Sequence, residues 1–176
     1  MRTAILMGVL ALPALAMGQS RLPKGQEEVN RASELIVRGD HAGAEPLLRR
    51  AVVDAPDDPY GHYNLGAVLR ATGRNEEAIV EYRRARDLFE KVGPRANGEG
   101  DIANCLYGIA LAEEARGDAT SSARAWSDYI RFAQRYQNEQ PAVAIARNHV
   151  ETNERLAGIK GPFRATEKAS RPSTTR

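Results

Sequence analysis

The side chains that most often carry out catalysis are few in this chain and widely separated. Its three histidines, His41, His62 and His149, are far apart in sequence, and Cys105 is the only cysteine. The sequence has no glycine-rich phosphate loop, no paired-cysteine motif and no nucleophile elbow. Adjacent glutamates in a helix would point about 100 degrees apart, which does not suit paired acid–base work. These patterns favour a protein with no catalytic residues, no metal site and no cofactor, in which Cys105 packs with apolar neighbours.

The charge pattern argues against a nucleic-acid partner. The 176 residues include 25 Lys plus Arg and 23 Asp plus Glu, so the pI near 8.8 reflects only a small positive excess. Basic residues such as Arg83 and Arg86 alternate with acidic residues such as Glu81 and Asp87. A nucleic-acid surface would instead concentrate Lys and Arg beside stacking aromatic side chains. We interpret this segment as a solvated helix face with intrahelical ion pairs.

Three glycines mark the elements that must position any binding residues. Gly39, Gly73 and Gly117 each follow one helical pattern of apolar residues and precede another. Gly39 and Gly73 are 34 residues apart, whereas Gly73 and Gly117 are 44 apart. A recurring interval of this kind is typical of repeated helix pairs that each turn at a glycine. The longer second interval predicts an insertion.

The second helix pair has the residues that identify the type of repeat. Large and small residues recur at fixed intervals in the order His62, Leu65, Gly66, Leu69, Gly73, Ala78, Tyr82 and Ala85. This pattern resembles the tetratricopeptide repeat. The first pair matches best in its second helix, and the third is a divergent copy. The resemblance implies an all-α fold, a right-handed superhelical stack of about three antiparallel helix pairs with a C-terminal capping helix.

The apolar periodicity predicts seven helices. They cover residues 26–38, 42–54, 59–71, 75–92, 101–116, 119–137 and 141–156. The fourth helix is expected to end at Gly93 and Pro94, because proline disfavours helix in the residue before it. We interpret the loop from Gly93 to Gly100 as a surface insertion, with contact to a partner as the alternative. Asp101 is expected to cap the fifth helix.

Both ends of the chain differ in composition from the repeats. Arg2 precedes an uncharged apolar stretch and small residues at Ala16 and Gly18, which predicts a secretory signal peptide over residues 1–18. We therefore expect a periplasmic or secreted protein with no stable membrane insertion after cleavage and a helical domain over residues 19–157. Residues 158–176 are rich in basic residues, Ser and Thr, and are expected to form a disordered tail.

The resemblance also implies a concave surface lined by the first helix of each pair. The residues that it places on this surface are Tyr60, Tyr63, Asn64 and Arg70 in the second pair and Asn104, Tyr107, Leu111 and Glu114 in the third. Tyr63 and Tyr107 hold equivalent positions and are expected to be neighbours in one groove. Aromatic and amide side chains of this kind can grip a peptide. The alternative for Tyr60 and Tyr63 is packing against the preceding helix pair.

We therefore expect an exported scaffold or adaptor that binds a protein or peptide partner in its concave groove, in cell-envelope assembly or secretion. A self-associating structural subunit with no peptide ligand is the alternative. Family members that clamp the carboxylate end of chaperone tails use a set of Lys, Asn and Arg residues. Of those positions only Asn64 matches in this chain, so we do not expect that clamp.

Overall fold

The computed structural model describes residues 22–93, 98–135 and 140–158. The predicted signal peptide, part of the predicted insertion and nearly all of the predicted basic tail lie outside these ranges. Within them, the regular elements are α-helices. They are α1 (Gln26–Val37), α2 (His41–Asp54), α3 (Pro59–Ala71), α4 (Asn75–Val92), α5 (Gly98–Ala115), α6 (Ala119–Ala133) and α7 (Gln140–Leu156). The predicted all-α arrangement of three helix pairs and a seventh helix is confirmed.

The predicted bounds of two helices need correction. α5 begins at Gly98, so Asp101 lies inside the helix and the prediction that it caps the helix is wrong. Glycine costs only about 1 kcal/mol in a helix, and the acidic residue at position 99 favours a helix start. α6 ends at Ala133 and not at 137. Its last turn tightens there, because the N–H of Arg135 bonds to the Phe132 carbonyl at 3.1 Å.

The three predicted turn glycines have the backbone conformation that such turns require. Gly39, Gly73 and Gly117 have φ angles of 78, 81 and 79 degrees. This left-handed region is accessible to glycine at no steric cost and strained for residues with a Cβ atom. The periodic glycines of the sequence are therefore the turns within the three helix pairs.

Two of these turns lead directly into a helix cap. The carboxylate of Asp40 accepts a hydrogen bond from the N–H of Gly43 at 2.8 Å. Asp118 accepts two from the first turn of α6, at 3.0 and 3.1 Å. Such caps satisfy N–H groups that have no partner within the helix. Arg74 holds the equivalent position in the second turn, and its guanidinium pairs with Glu45 of α2 instead.

The core runs along the stack between successive helices. Leu65, Leu69 and Tyr82, on which the predicted stack depends, are at most 3% exposed. α1 contacts α3, and α3 contacts α5. These three first helices therefore lie side by side, and we call their exposed faces the inner surface. The faces of α2, α4 and α6 form the outer surface. No helix of the described ranges has both the length and the apolar character needed to cross a membrane.

Candidate partner-binding surface

Tyr63 lies half-buried on α3, with part of its ring packed inside its own helix pair. Its ring centroid is 5.7 Å from that of Tyr82 in α4. It also contacts a small apolar cluster formed by Ala85, Phe89 and Cys105. Burial raises the pKa of the Tyr63 hydroxyl. The packing that the sequence left open for Tyr63 is therefore present.

Tyr107 is held in the same way on α5. Its ring centroid lies 5.2 Å from that of Trp126 and 5.4 Å from that of Tyr129, both in α6. The rings meet edge to face, which is a favourable arrangement for aromatic pairs. Tyr63 and Tyr107 thus share one role, in which each ring is anchored on the second helix of its own pair.

Tyr82 crosses between α3 and α5 at a point where two glycines make room for it. A Cβ atom on Gly66 would lie 3.0 Å from Cδ1 of Tyr82, and one on Gly108 would lie 2.6 Å from its Cζ. Both helices approach the ring closely because these positions have no side chain. Sequence reasoning placed Tyr82 in the core but did not connect it with Gly108, although a glycine within a helix was an available signal.

Arg70 adds a polar group to the surface beside these tyrosines. Burial raises the pKa of Tyr82, and the nearby Arg70 guanidinium opposes that effect. The Nε atom of Arg70 is buried and has no hydrogen-bond partner within the described ranges. A buried donor without an acceptor costs about 1–3 kcal/mol, which an acceptor on a bound partner would recover.

The remaining predicted residues of α3 and α5 differ in exposure. Asn64 is half-buried, Asn104 is exposed, and Leu111 is half-buried against the core. Each amide can donate and accept hydrogen bonds, as the backbone of an extended peptide requires.

Tyr60 has a separate position near the beginning of α3. Its hydroxyl donates a hydrogen bond to Oδ2 of Asp101 at 2.9 Å, and its ring edge packs on Phe89 at 5.1 Å between centroids. These residues line a cavity of about 260 Å³ where α3, the end of α4 and α5 meet. Tyr60 therefore links the second helix pair to the third.

Glu114 is engaged by two neighbours that the sequence did not connect with it. Its Oε2 accepts a hydrogen bond from Nε1 of Trp126 at 2.9 Å, and Nδ1 of His149 lies 3.1 Å from its Oε1. The His149 ring stacks on Trp126, with centroids 4.5 Å apart and planes 19 degrees apart. These contacts hold α7 against the third helix pair, so Glu114 has a structural role. His149 lies 35 residues further along the chain, and spacing alone gave no signal of the contact.

Groups able to perform chemistry stay dispersed in the described ranges. No cluster of three or more His, Cys, Asp or Glu side chains that could hold a metal ion occurs there. Cys105 is fully buried, and burial raises the pKa of its thiol to about 12. The thiolate is the nucleophilic form, so this cysteine is inert at neutral pH.

Comparison with known proteins relates this geometry to a repeat family. Residues 29–92, which run from α1 to the end of α4, match the family model described as tetratricopeptide repeat. The fold is a tetratricopeptide-repeat fold. The comparison with curated proteins gives no match.

Two solved structures are similar over most of the tetratricopeptide stack. One is the Type III secretion translocator chaperone SycD of Yersinia enterocolitica, in an alternative dimer. It has a TM-score of 0.62 and 13% identity, and the match covers 76% of this chain and 94% of that one. The other is the TPR domain of Sgt2 from Aspergillus fumigatus, with a TM-score of 0.57, 17% identity and coverage of 88% and 89%. At these identities the similarity shows the fold.

Proposed function

We propose that this protein is a scaffold that binds a segment of a partner protein on the inner surface formed by α3 and α5. The observation that carries the proposal is the buried, unpaired Nε of Arg70 beside Tyr63 and Tyr82. The tetratricopeptide match supports it, as do the two structural neighbours, one of which is a chaperone and the other a domain of the same repeat type.

The chemistry of this surface suits a peptide segment. Arg70 offers its N–H donor to a backbone carbonyl or a carboxylate of the partner. Tyr63 and Tyr107 are already fixed at one edge by their helix pairs, so little side-chain entropy is lost on binding. Asn64 and Asn104 supply hydrogen bonds to the partner backbone. A preformed surface of this kind binds without rearrangement of the helices.

We place the scaffold in the cell envelope, where it serves assembly or secretion after export. This proposal rests on the signal peptide predicted for residues 1–18, which lie outside the described ranges. Expression of the intact gene should give a protein shortened at Ala16 or Gly18 in the periplasmic or secreted fraction. Full-length protein confined to the cytosol would overturn it.

The binding surface is tested by capture of a partner from envelope extract, followed by measurement of the purified pair. Asn104→Arg places a bulky charge on an exposed position of α5, and Arg70→Met removes the unpaired donor. Each change should weaken binding by about tenfold or more. Val80→Arg adds the same charge to an exposed position of outer helix α4 and should leave binding unchanged. Unchanged affinity in both inner-surface variants, with helicity retained by circular dichroism, would contradict the proposal.

Self-association is the competing function. Light scattering of the processed protein over a range of concentrations separates the two. A monomer that captures a partner supports the scaffold. A dimer that blocks capture, and that Asn104→Arg dissociates, would show that the inner surface binds a second copy of this chain.

A further inference from the structure

A second groove lies on the outer surface, between α4 and α6. It encloses about 200 Å³ and has α5 as its floor. We call it the α4–α6 groove. Its apolar floor is formed by Leu106, Ile109 and Ala125, and its rim includes Arg83, Arg86 and Arg124.

The preceding repeat shows how the equivalent groove, between α2 and α4, is closed. There, Nη2 of Arg49 in α2 pairs with Oε2 of Glu77 in α4 at 3.2 Å. Nδ1 of His62 in α3 lies 2.7 Å from Oε2 of Glu81 in α4. The two carboxylates are four residues apart, so they lie on one face of α4, and both point across the groove.

The repeat spacing relates each of these residues to one in the α4–α6 groove. Arg83 is equivalent to Arg49, being 34 residues further along. Ser121 and Ala125 are equivalent to Glu77 and Glu81, each being 44 residues further along. The arginine of the pair is therefore retained, whereas both of the carboxylates that faced the groove are missing.

The rim arginines consequently lack acidic partners across the groove. Arg83 stays 55% exposed and reaches only Glu113, at 3.5 Å, which Arg116 already holds at 2.7 Å. Arg86 pairs with Asp87 and Glu90 of its own helix. Arg124 is exposed, and the part of the chain that the structure describes supplies no ion pair to it.

We propose that the α4–α6 groove binds an acidic segment of a partner protein. Glutamate or aspartate side chains of that segment take the positions that Glu77 and Glu81 hold in the preceding groove, one helical turn apart. An apolar side chain of the same segment covers Leu106 and Ile109. This site is independent of the inner surface and of the function proposed for it.

The groove favours carboxylates over nucleic acid as its ligand. Glu113 and Asp128 also line it, and two fixed negative charges oppose a chain of phosphates. Single carboxylates can instead be placed between the arginines, as they are between α2 and α4. Charge complementarity with an apolar centre is typical of a protein–protein contact.

The test uses a fluorescein-labelled helical peptide with two glutamates one turn apart and leucines on the same face. Its anisotropy is measured with the full processed chain. The peptide should bind, its glutamine counterpart should bind about tenfold more weakly, and added salt should weaken the binding. Equal binding of the two peptides would overturn the proposal.

Variants locate the peptide on the protein. The double variant Arg83→Gln, Arg124→Gln should bind about fivefold more weakly, since each exposed pair contributes little. Arg50→Gln, Arg84→Gln changes the net charge equally on α2 and α4 and should bind as the unaltered protein does. Ser121→Glu returns one missing carboxylate beside Arg83 and should compete with the peptide while helicity is retained. Undiminished binding to the Arg83, Arg124 variant, or loss of binding in Asn104→Arg alone, would contradict this location.

Discussion

Cys105 illustrates how one residue is fixed by its surroundings. The sequence predicted a packed thiol because apolar residues follow it at helical spacing. Its full burial against Ala85 and Phe89 confirms that prediction. A thiol in an apolar cluster resists ionisation because the charged form loses its hydration.

We predict that Cys105 reacts very slowly with a thiol reagent at pH 8 in the native protein. Its pKa is raised from 9.0 to about 12, so the thiolate fraction falls by about a thousandfold. The rate should rise by orders of magnitude in urea. Absorbance with an aromatic disulfide reagent measures both rates. Rapid labelling of the folded chain would contradict the buried position.

The candidate binding residues were predictable in type and in helix, but not in their contacts. Tyr63 and Tyr107 were related by their equivalent spacing, which reports position along the repeat. Their anchoring on α4 and α6 depends on contacts between helices. The pairing of Glu114 with His149 joins α5 to α7 across 35 residues, and local patterns contain no information about it.

At the scale of the helix, prediction succeeded where the signals were local. α3 and α4 have the predicted bounds because Pro59 begins the first and Gly93 ends the second. The start of α5 was missed because Gly98 and Gly100 read as loop residues. Glycine in a helix is often retained for close packing, and Gly108 is such a case.

Two glycines of α5 should respond in opposite directions to replacement by alanine. Gly100 has no atom within 4 Å of its missing Cβ, so Gly100→Ala should stabilise the fold by up to about 1 kcal/mol. Gly108→Ala would place a Cβ 2.6 Å from Cζ of Tyr82, and overpacking of this kind costs about 1–3 kcal/mol. Urea unfolding measures both changes.

A second change distinguishes overpacking from other causes. Tyr82→Leu shortens the buried side chain, so it should destabilise the protein on its own but remove the added cost of Gly108→Ala. A Gly108→Ala penalty of the same size in both backgrounds would show that the ring of Tyr82 is not the obstacle.

At the scale of the whole molecule, ion pairs near the turns join successive helix pairs. Arg74 of the second turn bonds to Glu45 of α2, and Arg116 near the third turn bonds to Glu76 of α4 at 2.9 Å. The hydrogen bonds from Arg74 lower the pKa of Glu45 from 4.5 to about 2. Glu45 therefore stabilises the stack when ionised.

This link predicts a dependence of stability on acid. The Glu45 carboxyl has a lower pKa in the folded state, so its contribution is complete above pH 4.5 and is lost as the pH falls toward 2. Glu45→Gln should lower the free energy of unfolding at pH 7 and lessen its decline below pH 4.5. Glu27→Gln changes an exposed residue of α1 and serves as the control. Parallel pH profiles for the native protein and Glu45→Gln would refute the link.

The stack as a whole was predictable because its information is periodic. The 34-residue interval and the glycine turns recur along the sequence, and the core follows from them. The α4–α6 groove was not visible in the same way. It arises where Ser121 and Ala125 depart from the pattern of the preceding repeat, and the meaning of that departure needs the geometry of both grooves.

The central claim is that the inner surface receives the partner. A photoreactive amino acid at position 104 of α5, compared with one at position 80 of α4, tests it in the complex formed with the captured partner. Both positions are exposed in the free protein, so they report contact directly. The account predicts a covalent adduct with the partner from position 104 and little from position 80. An adduct from position 80 with none from position 104 would contradict it.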